Sequence, residues 1–466
     1  MTLDASQLDV PEALQSNSIT RAELGERLST ARQQPAEAGL QEALALLSRL
    51  NRSTMTLLER QRTLQNFSDE YHHYNAGGHS APPVQLLILL CCELAIGFKR
   101  LLLQILQGHK PSRPHLAWCL YMAQHFIAQT LLRHYQQYRE PPPELWRDSH
   151  LLYWLGEQQD CLDEPVAAAF SPTPADTLRG LYQQILLLAL SNPPHLHPEE
   201  SERLFTALAP LAATARLLPW DVEDKSEGAL VDLEGAQPCL TYSQRPDAGS
   251  DTLRRLELGA LLVALSEPAP LQSVAARELL ERVQQHWLGN NQRRHSRTLK
   301  QSDCRLAIGV PAIHAQLLEQ RPQCTEGKIL DIGPGGARLL CAAQAASTLP
   351  IGQLVLLMAD SDVLALICWR HLNTEGLHLG LRYLKGLAQP TWIRRTPSSQ
   401  SHLGILQSTP KPRNGWHHGL WLPRNQFADE ENLWLQLPNA VSQNQLQLPP
   451  CNLLSAMVSR HPLELP

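Results

Sequence analysis

At 466 residues, 43% of them hydrophobic, the chain is long enough for about two to four domains with cores of their own. A net charge of −5 at pH 7 argues against a general nucleic-acid polymer binder, which needs a broad basic field. Ten cysteines are scattered through apolar runs without zinc-type spacing, the pattern of buried, reduced thiols in a cytoplasmic protein.

Met1-Thr2-Leu3-Asp4 lacks the basic and apolar regions of a signal peptide, so a cytoplasmic location is expected. Residues 1 to 20 read as a flexible N-terminus and 21 to 289 as an α-helical domain. Apolar residues recur at helical spacing in Ala22, Leu24, Leu28 and Ala31, then in Leu40, Ala43, Leu44, Leu47 and Leu50. A long helix is expected from Met55 to Tyr74. Pro82-Pro83 opens a very apolar helix through Leu106, which Gln85, Glu93 and Lys99-Arg100 interrupt before it reaches the ~20 residues that span a bilayer. No membrane span is therefore expected. Pro114 opens another helix to Tyr138, and Pro141-Pro142-Pro143 precedes one with Trp146, Leu151, Tyr153 and Trp154 at core spacing. Further helices are expected at 174–190, 198–216, 251–265 and 271–288, with two short strands in a β insert near 223–246. The pattern is that of a helical bundle or helical-pair region, without a fixed repeat period.

The character then changes. A basic cluster, Gln292-Arg293-Arg294-His295-Ser296-Arg297, follows the last helix. An apolar run ending in an acid and a glycine turn comes next, Lys328-Ile329-Leu330-Asp331-Ile332-Gly333-Pro334-Gly335-Gly336-Ala337-Arg338. Leu364–His371 and Leu377–Leu384 flank the turn Asn373-Thr374-Glu375-Gly376, which leaves no room for a crossover helix and reads as an antiparallel hairpin. Beyond Gly386, short strands are expected at Thr391–Arg395, His402–Gln407, His418–Leu422, Asn432–Leu437 and Gln445–Leu448, a β-rich extension over 389–466. The fold class is multi-domain α+β.

Two families resemble the glycine turn. Asp331-Ile332-Gly333-Pro334-Gly335-Gly336-Ala337 is similar to the cofactor loop of class I methyltransferases except at its last position. Asp360 and Asp362, after Leu354–Leu357, stand where such enzymes hold a ribose. That resemblance implies S-adenosylmethionine and a doubly wound parallel sheet. The hairpin disfavours it. Arg293 and Arg297, followed by Asp331 and Gly336, resemble instead the Arg-x-x-x-Arg and Asp-x-Ser-x-x-Gly pair of PilZ domains, receptors for cyclic di-GMP. Gly380-Leu381-Arg382-Tyr383 also resembles the close of a PilZ barrel, here placed at 290–388. Gly333 departs from the family by replacing its serine.

The PilZ resemblance implies that Arg293 and Arg297 bind phosphate and guanine, with Arg294 assisting. Guanidinium forks onto phosphate oxygens and onto the guanine Hoogsteen edge. Asp331 would accept from guanine N1–H and N2–H₂, and Gly336 would let the turn follow the ligand. Losing the serine hydroxyl at Gly333 costs one hydrogen bond, about 0.5–1.5 kcal/mol, or up to roughly tenfold in affinity. Ligand is expected to draw 289–298 onto the barrel and to signal through the helical domain to a protein partner, in motility, pilus or other surface behaviour. No catalytic residue, metal site or cofactor is expected. His72-His73, His195/His197 and His417-His418 have no third ligand at matched spacing. No Gly-x-Ser-x-Gly nucleophile turn occurs. The rival readings are the methyltransferase and an adaptor with the barrel but no ligand.

Overall fold

The structure is a computed structural model that describes residues 3–13, 15–16, 19–76, 82–108, 112–166, 176–221, 228–240, 249–266, 274–288, 296–411, 415–438 and 443–464. The chain divides into two compact units. The first holds Met1–Gln137, Pro141–Pro193 and Pro198–Asn291, and the second Tyr138–Glu140, Pro194–His197 and Gln292–Pro466.

The first unit is mainly helical. Short parallel strands β1 (Gln15–Ser16) and β2 (Ser53–Thr54) accompany α1 (Arg21–Gln33), α2 (Ala36–Asn51), α3 (Leu57–Asn75) and α4 (Val84–Gln107). Then come α5 (Arg113–Gln136), α6 (Pro143–Gln158), α7 (Leu178–Leu190) and α8 (Pro198–Leu208). Local chemistry sets many of the boundaries. Thr20, Thr56 and Thr177 each accept a backbone N–H at a helix start, and Thr56 forms a reciprocal box with Glu59. Prolines stand in the first turns of α5 and α6, where a missing N–H costs nothing. Helix α5 is the centre, packed on α4, α6, α7 and α8 with Leu116 through Arg133 largely buried.

Two expected helices end differently. The stretch 198–216 is helical only to Leu208, because Pro210 cannot continue the ladder, and Ala212–Thr214 form a 3₁₀ turn. Residues 251–265 begin as a strand. That strand, β5 (Leu253–Glu257), pairs with β3 (Arg216–Pro219) and β4 (Ala229–Asp232) in a sheet ordered β3-β5-β4, before α9 (Gly259–Ser266) and α10 (Val274–Trp287). Tertiary contacts override helix propensity there: Leu253 and Leu256 are buried, and Arg254 is salt-bridged to Glu157 at 2.5 Å. Of the two strands expected in the insert near 223–246, the second is a single bridge from Leu240 to Leu230, and residues 241 and 242 lie outside the described residues.

A buried polar knot ties the N-terminal segment to α4 and α6. Lys99 Nζ pairs with Asp148 and donates to the Asp9 carbonyl at 2.5 Å, while the Asp9 N–H donates to Asp148 Oδ1 at 3.1 Å. Both charged side chains are 5% exposed, and desolvation raises the Asp148 carboxyl above its usual range although Lys99 pulls it down. Nearby, His150 is fully buried between Tyr182 OH (2.6 Å) and the Gln237 carbonyl (2.8 Å). Nε2–H donating to the carbonyl leaves Nδ1 to accept from the phenol, so the neutral ring satisfies both partners.

Among its described residues the second unit is β-structured apart from one helix and 3₁₀ turns. Strand β6 (Thr298–Ile308) leads into α11 (Gly309–Leu317), then β7 (Thr325–Gly333), β8 (Gly336–Cys341), β9 (Leu354–Met358), β10 (Asp362–Asn373) and β11 (Gly376–Tyr383). They close into a barrel in the order β10-β11-β8-β7-β6-β9, every neighbouring pair antiparallel. Leu306, Ile329, Leu339, Val355, Ile367 and Leu379 fill it. The expected hairpin is β10–β11, and the α+β class is as read from the sequence.

Strands β12 (Leu387–Arg394), β13 (His402–Pro410), β14 (Trp416–Pro423), β15 (Asn432–Gln436), β16 (Asn444–Gln447), β17 (Leu453–Leu454) and β18 (Val458–Leu463) make a seven-stranded sheet ordered β16-β15-β12-β13-β14-β18-β17. Helix α11 joins the two β layers. Its Val310 and Ile313 pack with Leu354, Leu356 and Leu366 from the barrel's outside and with Ile405 and Trp421 of the sheet. The barrel and the C-terminal sheet thus share one apolar layer.

Two measurements test the helical unit. Lys99→Met strands the Asp148 carboxylate and should cost about 3–5 kcal/mol in a denaturant titration at pH 7. Burial pushes His150 down to about 4 and His125 to about 3, below the ~6.5 of an unfolded histidine. The stability they contribute is complete above pH 6.5 and lost as pH falls toward 4. The melting temperature should therefore drop between pH 7 and 5, and His150→Gln should show a smaller drop.

Candidate ligand-binding site

The site predicted from sequence is built where β6 enters the barrel beside the β7–β8 turn. Arg297 immediately precedes β6, and its Nη1 meets Asp331 Oδ1 at 2.5 Å. The two side chains are 26% and 16% exposed, so the pair is half-shielded but reachable. Strand pairing enforces the approach: Thr298 lies opposite Ile332, and Leu299 opposite Asp331. A bulge between Leu299 and Ser302 turns the start of β6, leaving Leu299 87% exposed. Sequence and structure agree in bringing Arg297 and Asp331 together across 34 residues. Arg293, Arg294 and His295 lie outside the described residues.

The glycines of the turn have separate tasks. Gly333 and Gly336 are directly paired, closing a two-residue loop of Pro334 and Gly335. A Cβ on Gly333 would stand 3.0 Å from the Ser296 carbonyl oxygen and 3.4 Å from Arg297 Cγ. The absence of a side chain there lets the arginine segment lie against β7. A Cβ on Gly336 would sit 1.9 Å from the Leu381 carbonyl oxygen, so this glycine is required by the pairing of β8 with β11. The barrel demands it whether or not a ligand approaches.

Sequence reasoning did not find the groups around the pair. Lys300 is salt-bridged to Asp360, the residue that the methyltransferase reading assigned to a ribose. Desolvation raises the Tyr383 phenol above its usual range, with Lys300 and Arg297 pulling it back, which places both cations near the ring. Their common origin is the bulged entry strand, which the polar sequence Thr298-Leu299-Lys300-Gln301-Ser302 does not disclose. A broad hollow lined by Asp303, Arg305, Glu326, Lys328, Asp360 and Glu375 includes neither Arg297 nor Asp331. Asp303 faces Lys328 and Arg305 faces Glu326 across β6 and β7, a solvated pattern of opposed charges. Among the described residues no cluster of His, Cys, Asp and Glu could hold a metal ion, and no helix is long and apolar enough to cross a membrane.

The architecture is therefore a helical unit followed by a closed antiparallel barrel with a guanidinium–carboxylate pair on its entry strand and first hairpin. A parallel methyltransferase sheet is excluded, since residues 336–341 form a strand of this barrel. Residues 22–221 match the family model described as the N-terminal domain of the cyclic-di-GMP receptor FimW. No curated protein and no solved structure matches the chain. The similarity falls on the helical region, from α1 to the end of β3, and stops before the barrel that carries Arg297 and Asp331.

Replacing Gly336 by Ala should break the β8–β11 register and lower stability by at least about 2 kcal/mol. Thermal melting checks this; an unchanged melting curve would contradict the close approach to Leu381.

Proposed function

We propose that this chain is a cyclic di-GMP-binding effector whose barrel holds the ligand and whose helical unit engages a protein partner. Two separate stretches support the reading. The helical region resembles the N-terminal domain of a family named for a cyclic di-GMP receptor. Independently, Arg297 and Asp331 meet on a closed antiparallel barrel at the spacing of a PilZ-type motif. The pairing of those two residues is the observation that carries the proposal.

Arg297 supplies a fork of donors for a phosphate and a guanine Hoogsteen edge, and Asp331 accepts from guanine N1–H and N2–H₂. Since they are paired with each other, ligand inserts into an existing contact instead of assembling the site. Arg297 is already seated on the barrel, and Arg293 and Arg294, in the segment before Ser296 that lies outside the described residues, would complete the phosphate clamp. That segment continues from α10, which gives the helical unit a covalent stake in its position. The mechanism requires only that ligand bind one arrangement better than the other. The output is control of motility, pili or surface behaviour through the partner, and no reaction is catalysed.

Isothermal titration calorimetry with cyclic di-GMP is the test. Wild type should bind, and Arg297→Ala and Asp331→Ala should each weaken binding at least tenfold. S-adenosylmethionine should give no heat. Equal affinities in wild type and Arg297→Ala would remove the site assignment.

A further inference from the structure

The outer face of the barrel carries a cross-strand row of residues in register with Asp331. Residues directly opposite one another across antiparallel strands point to the same face. Asp331 on β7 is opposite Arg338 on β8, Arg338 is opposite Gly380 on β11, and Gly380 is opposite Trp369 on β10. This row leads from a carboxylate, through a guanidinium and a bare backbone position, to an indole. A bulge at Cys368, between Ile367 and Trp369, sets the indole in that row.

The indole lies flat. A Cβ built on Gly380 would fall 1.8 Å from Trp369 Nε1 and 2.2 and 2.3 Å from the flanking Cε2 and Cδ1. Flanking distances so little longer than the distance to Nε1 itself place that point under the ring face and not beyond its edge. One face of the indole therefore covers Gly380, and no other residue fits beneath it. Trp369 remains partly exposed. Arg338 donates to His378 Nδ1 at 3.1 Å, which fixes its guanidinium beside this surface, while its Nε is buried without a hydrogen-bond partner. At ~4.8 Å per strand, the covered glycine is roughly 10 Å from Asp331.

From this geometry we infer that Trp369 is a stacking platform for a purine base, and that Arg338 faces the phosphates between it and a base held at Asp331. The inference rests on the reading of the barrel as a cyclic dinucleotide site, and it assigns where the second base goes. An indole seated on glycine is preorganised, so little side-chain freedom is lost when a base stacks on it. Neither residue belongs to the two motifs that led to Arg297 and Asp331.

Calorimetry with cyclic di-GMP on the full chain decides it, using Trp369→Leu, Trp369→Phe and Arg297→Ala beside wild type. Leucine still covers Gly380 but offers no π-face; phenylalanine keeps one. The expected result is affinity about tenfold or more weaker for Trp369→Leu and within about threefold of wild type for Trp369→Phe. Nuclear Overhauser contacts between the Trp369 indole protons and guanine H8 in the wild-type complex give the same answer without a substitution. Wild-type affinity in Trp369→Leu together with loss in Arg297→Ala would overturn the platform and leave the Arg297–Asp331 site standing. No heat from wild type would overturn both.

Discussion

The contact between Arg297 and Asp331 is the constraint on which the rest of the barrel's outer face depends. An ion pair this exposed contributes little to stability, about 1 kcal/mol or less. Its consequence is positional. It fixes the point at which the chain arriving from the helical unit joins β6, and β6 in turn sets the register of β7. A slip of one residue would send Asp331 into the apolar interior. The charges can face solvent because Ile329, Ile332 and Tyr383 take the inward positions around them. Charged and packing residues therefore alternate along the same strands.

The same economy appears in α11, inserted between β6 and β7. Its apolar face touches the barrel on one side and the C-terminal sheet on the other, so the barrel's outer surface is divided. Strands β9 and β10 give part of theirs to α11 and the sheet, through Leu354, Leu356, Leu364 and Leu366. The remaining arc, over β7, β8, β11 and the far half of β10, carries Asp331, Arg338, Gly380 and Trp369. A ligand bound there, as proposed, would meet a wall braced by the packed layers of α11 and the C-terminal sheet. That rigidity suits a binding surface better than an exposed loop would.

Much of this was legible in the sequence, for identifiable reasons. Helices with proline starts and 3.6-residue periodicity announce themselves, as α4 and α5 do. The β10–β11 hairpin is readable because its turn chemistry and strand lengths leave no alternative. The strand at 253–257 was not readable, because Leu253-Arg254-Arg255-Leu256-Glu257 fits one turn of an amphipathic helix until Glu157 claims Arg254. Strand β6 was hidden by its own bulge, which breaks the alternation that marks a strand. Arg297 and Asp331 were found through motif spacing, whereas Arg338 and Trp369 are 31 residues apart in sequence and adjacent only through β11. No one-dimensional pattern joins them. Only the cross-strand register does.

Gly333 shows how a departure from a motif can be a trade instead of a loss. A serine there would offer a hydroxyl worth about 0.5–1.5 kcal/mol to a ligand. Its Cβ, however, would stand 3.0 Å from the Ser296 carbonyl oxygen, tight enough to push the arginine segment off β7 by a few tenths of an ångström. Charge-assisted hydrogen bonds are about twice as strong as neutral ones and demand short, well-aligned geometry. Loosening the Arg297 seat thus taxes the stronger contact to gain the weaker. In this backbone glycine favours the guanidinium. An added hydroxyl would improve recognition only if the Ser296–Arg297 segment could yield without carrying Arg297 away from Asp331.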